Sequence, residues 1–61
     1  MTIDEAKKKI GARVSYTPFA KDEIYITKQG VIKDVTVQNV LVKFDADWYT
    51  TIVDPKDLKL V

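Results

Sequence analysis

The sequence predicts a mainly β protein: one small closed barrel of about five short antiparallel strands, with a short N-terminal helix and a one-turn helix before the last strand. Three observations predict it. Short runs rich in Val, Ile, Thr and aromatic residues recur from Ala12 onward, the composition of a pleated, half-buried surface. Turn signals separate these runs at close intervals. The 61 residues cannot supply two full sheets of a sandwich, which leaves a small barrel. The chain reads as one domain over 1–61, with the helix over 2–10 and the barrel over 12–61.

The elements follow in order. "TIDEAKKKI" predicts the helix. Thr2 and Glu5 have the spacing of a capping box, in which each side chain satisfies the other's free N–H. Asp4 and Glu5 sit at the positive end of the helix dipole, and Lys7, Lys8 and Lys9 at the negative end. Ile3, Ala6 and Ile10 share a face that packs on the barrel, and Gly11 takes the left-handed cap. "ARVSY" alternates as the first strand, and Pro18 breaks it. "EIYITK" is a second β-prone run, which Gly30 turns. "VIKDVTV" and "NVLVKF" form a hairpin around "TVQN". "DAD" (Asp45–Asp47) makes the next tight turn and "WYTTIV" the next strand. In "DPKDL", Asp54 is a cap and Pro55 occupies the first helical position. "KLV" closes the chain. The expected core is Val14, Ile24, Val31, Val40, Val42, Phe44, Val53, Leu58 and Leu60.

Composition narrows the chemistry. Lys plus Arg total 10 and Asp plus Glu 9, a net charge of +1, so no basic excess draws the chain to nucleic acid. Cysteine and histidine are absent. That removes thiolate nucleophiles, imidazole acid–base catalysis and the usual zinc sites. The two glycines form no phosphate loop, and the Asp45–Asp47 pair lacks the further ligands of a calcium loop. No catalytic residue, metal or cofactor is expected, and the chain is read as non-enzymatic. No apolar run reaches membrane-spanning length, and "MTIDEAKKK" lacks a secretory h-region, so cytoplasmic residence is expected.

Four stretches carry a resemblance: "IGARVSY" (Ile10–Tyr16), "GVI" (Gly30–Ile32), "VLVKFD" (Val40–Asp45) and "VDPKDLKLV" (Val53–Val61). In this order the chain resembles SH3-like small barrels, closest to the bacterial and phage Tudor/KOW-like domains. The resemblance covers most of the chain after Gly11 and departs from the family at the long stretch 17–29. It implies a barrel fold and a binding role. It does not extend to the "ALYDY" motif or the paired tryptophans of signalling SH3 domains, so proline-rich ligands are not implied.

The candidate binding residues are aromatic and basic. Tyr16, Phe19, Tyr25 and Trp48 can stack on bases, hold a cation or anchor a partner. Trp48 and Tyr49 are neighbours on the predicted strand, so one of them must face outward. Lys21, Lys33 and Lys43 complete the set, with Lys33 and Lys43 on neighbouring strands as a cross-strand basic patch. The expected role is a protein–protein interaction module, such as a phage or prophage accessory protein. The alternative is a nucleic-acid-binding KOW/Tudor-like module that uses the lysines and exposed aromatics. A third reading is structural, as a symmetric oligomer or a piece of a larger assembly.

Overall fold

The computed structural model describes residues 1–17 and 27–61. The predicted run "EIYI", the core candidate Ile24 and the site candidates Phe19, Lys21 and Tyr25 lie outside the described residues. Five antiparallel strands form one sheet: β1 (Arg13–Tyr16), β2 (Lys28–Val35), β3 (Val40–Phe44), β4 (Thr50–Val53) and β5 (Leu58–Leu60), in the order β4-β3-β2-β1-β5. A helix, α1 (Ile3–Lys7), precedes them, and a 3-10 turn (Pro55–Asp57) joins β4 to β5. The capping box forms: Thr2 Oγ1 accepts from Glu5 N–H, and Glu5 Oε1 accepts from Thr2 N–H. Asp54 caps the 3-10 turn by accepting from Lys56 N–H at 3.0 Å.

The helix is shorter than the 2–10 expected. It stops at Lys7, and Gly11 adopts φ 93° four residues later, turning the backbone so that its N–H reaches Ile32 C=O. Ile10 falls in that turn and is 52% exposed, so Ala6, with Ile3 and Met1 beside it, joins the helix to the core instead.

Gly30 does not turn the chain. It lies inside β2, opposite Phe44 and Val14, and a Cβ there would meet Lys43 O at 2.5 Å and Phe44 Cα at 2.8 Å. The absent side chain lets β2 cross close over β3. Because Gly30 faces inward, period-2 alternation sends Ile32 into the core and leaves Val31 half-buried, reversing the expected assignment. A register shift between Ile32 and Asp34 leaves Lys33 at a bulge. The hairpin turn falls at Thr36–Asn39 as expected, clamped by Thr36 N–H to Asn39 C=O at 2.8 Å and Asn39 N–H to Thr36 Oγ1 at 3.0 Å.

The core comprises Ala6, Val14, Ile32, Val40, Val42, Phe44, Val53 and Leu58. Leu60 is 46% exposed, since β5 lies at the sheet's end with nothing described beyond it.

The sheet is not closed into a barrel, which corrects the expected closure: β4 and β5 occupy its two ends and do not pair. The outer edge of β5 is engaged at Leu58. Thr17 N–H bonds to Asp57 C=O and Val61 N–H to Arg13 C=O, so alternation turns the peptide groups of Leu58 away from β1. There Leu58 N–H donates to Pro55 C=O, and Leu58 C=O accepts from the Met1 ammonium at 3.4 Å.

Candidate binding surface

Two surfaces contain two of the four described candidates, Trp48 and Tyr16. The first follows the Asp45–Ala46 turn, where Asp47 N–H bonds to Phe44 C=O. Trp48 and Tyr49 lie in a bend before β4, not on a strand with opposite faces as expected. Both are exposed, at 88% and 50%, and they pack edge to face with ring centroids 5.5 Å apart. Ile52, on β4, is 65% exposed. It shares a face with Thr50, because residues two apart on a strand do so. An indole, a phenol and an isoleucine therefore stand within five residues on one exposed border.

The second surface lies on the other side of the Asp45–Ala46 turn, around Phe44. Tyr16 packs against Phe44 at 5.5 Å between ring centroids, and the Lys28 ammonium stands 5.4 Å from the Phe44 ring centre. Tyr16 and Lys28 are cross-strand partners, which brings both to the same ring. An open cleft of about 210 Å³ adjoins them, lined by Thr27, Lys28, Gln29, Phe44, Asp45 and Ala46. Tyr16 is thus half-buried as a packing residue, about 1 kcal/mol of aromatic contact beyond its buried area.

Lys33 and Lys43 lie on the neighbouring strands β2 and β3. Lys43 stands opposite Val31 on β2 and Thr50 on β4, while Lys33 occupies the bulge. The Lys43 ammonium donates to the neighbouring Phe44 C=O at 3.1 Å. On the outer face Arg13 instead forms an ion pair with Asp45 and donates to Gln29 Oε1 at 3.3 Å. The hydrogen bond to Asp45, then its charge, raises the guanidinium pKa above its ordinary value, so Arg13 stays cationic. Among the described residues no three acidic side chains cluster to hold a metal ion, and no buried side-chain polar atom lacks a partner.

The sequence does not single out Ile52 and allows only one of Trp48 and Tyr49 to face outward, because "WYTTIV" reads as one strand whereas β4 starts only at Thr50. A comparison with protein-family models finds no match, and comparisons with curated proteins and with solved structures find none either.

Proposed function

We propose that the chain is a small non-enzymatic binding module, SH3-like in kind, that engages a protein partner through Trp48 and Tyr49. The exposure of Trp48 carries the reading. A tryptophan held 88% in solvent contributes almost nothing to a core this small, yet tryptophan is among the commonest anchors of protein interfaces. Tyr49 props the indole edge to face, so less side-chain freedom is lost when a partner covers it. Ile52 extends the apolar border. A meander whose last strand returns beside its first supports the small-barrel kinship.

The surroundings favour protein over nucleic acid. Asp45 and Asp47 immediately precede the aromatic pair in sequence, and Asp45 neutralises Arg13. A base-stacking platform works beside cations that track the phosphates. Affinity capture followed by mass spectrometry, with and without nuclease, tests the reading. A specific protein should be retained after nuclease treatment by the wild-type chain and lost by Trp48→Ala. Capture that vanishes with nuclease, or that Trp48→Ala leaves intact, overturns it.

A further inference from the structure

The border beside the aromatic pair has a second property, carried by backbone. Asp45 N–H bonds to Gln29 C=O, which makes Gly30–Phe44 a non-hydrogen-bonded pair of the β2–β3 ladder. Alternation then directs the peptide groups of Val42 toward β4, where Val42 meets Thr51, and those of Val40 toward Val53. Thr51 and Val53 therefore bond to β3, and the N–H and C=O of Thr50 and Ile52 point to the open side. Among the described residues no strand lies beyond β4.

Among the described residues this edge, although only four residues long, has no charge, proline or cover to protect it. The six residues Trp48–Val53 carry no charge and no proline. Native edges are ordinarily blunted by lysine, proline, a bulge or a covering segment. The opposite edge shows such measures, with Lys59 on β5 and the Met1 ammonium on Leu58 C=O.

We propose that the β4 edge pairs antiparallel with the β4 edge of a second copy of this chain. The occupant follows from self-complementarity. A two-fold axis at Thr51 sets Thr50 opposite Ile52 of the other copy, and Ile52 opposite its Thr50. All four outward peptide groups of each strand then find partners, giving four backbone hydrogen bonds. Thr51 meets Thr51, and Ile52 covers part of its exposed surface against threonine. No like charges face one another, since Asp54 falls opposite Trp48. The contact is smaller than a standard interface and belongs to the weak class. The inference concerns backbone pairing and goes beyond the partner reading for Trp48.

The test uses the full chain in sedimentation velocity up to about 1 mM, a concentration that populates even weak dimers. The mass should rise from 7.0 kDa toward twice that value, and the Thr50 and Ile52 amides should exchange more slowly as concentration rises. The double variant Thr50→Lys with Ile52→Lys puts lysine against lysine twice and should remain monomeric. So should the corresponding double glutamate variant, while an equimolar mixture of the two restores the dimer. Circular dichroism identical to wild type establishes that both variants fold. A wild-type monomer at every concentration, or a dimer that both double variants retain, overturns the proposal and leaves the edge to a strand from another protein.

Discussion

Trp48 and Phe44 show how differently two aromatic residues four positions apart are used. Phe44 is buried beneath Tyr16 and Lys28, and Trp48 stands in solvent against Tyr49. Their removal should separate stability from function. Trp48→Ala is expected to change unfolding free energy by less than about 0.5 kcal/mol, the range of exposed substitutions, while abolishing capture of the partner. Phe44→Ala should cost roughly 3–5 kcal/mol, a large share of a small domain's stability, and unfold much of the population in a urea titration. Gly30 tests the close crossing of β2 over β3. Gly30→Ala places a methyl group within 3 Å of the Lys43 carbonyl and the Phe44 backbone, so something must shift. Overpacking of this kind should lower stability by about 1–3 kcal/mol in the same titration.

Among the elements, the two short helical segments owe their existence to side-chain caps. Five residues of α1 are too few to stand alone in water, so the Thr2–Glu5 box and the buried Ala6 hold the segment in place. Thr2→Ala should cost about 1 kcal/mol, read as a lower denaturation midpoint at unchanged slope. The 3-10 turn depends on the same device at Asp54, with Pro55 fixing the first φ angle. β4 has a consequence that amide exchange can check without any variant. Thr51 and Val53, bonded to β3, should exchange slowly, and Thr50 and Ile52 quickly at low concentration. The reverse order would show that the β3–β4 ladder has slipped by one residue.

At the scale of the molecule, the open sheet sets what the protein can bind. β4 and β5 end the sheet on opposite sides, and on β5 the outer groups of Leu58 are engaged by the chain's own turn and by the Met1 ammonium. The free edge and the aromatic pair adjoin each other at Trp48–Val53, so strand pairing and side-chain docking share one border. If partner capture persists in the double lysine variant while self-association is lost, the two uses are independent. Leu58 joins the ends of the chain: it is buried in the core, and its C=O takes the Met1 ammonium. Leu58→Ala should therefore cost about 2–5 kcal/mol and loosen both the N-terminal helix and β5, seen as loss of protection at Ser15 and Thr17, whose N–H groups face β5.

Much of this architecture was legible in local chemistry. The capping box, the Thr36–Asn39 and Asp45–Ala46 turns, the Asp54–Pro55 cap and six of the expected core residues each depend on neighbours within a few positions. The sequence by itself therefore determined a mainly β chain with a capped helix at its start, and the exclusion of imidazole and thiol chemistry. Tertiary structure alone decided three matters. It put Ile32 rather than Val31 inside, because the close contact at Gly30 sets the register and a one-residue slip exchanges the faces. It exposed Trp48 and Tyr49 together, because β4 begins only at Thr50, where pairing to Lys43 starts. It left the sheet open, with β4 and β5 at opposite ends and unpaired, because which strands meet is set by contacts distant in sequence that composition and periodicity do not show.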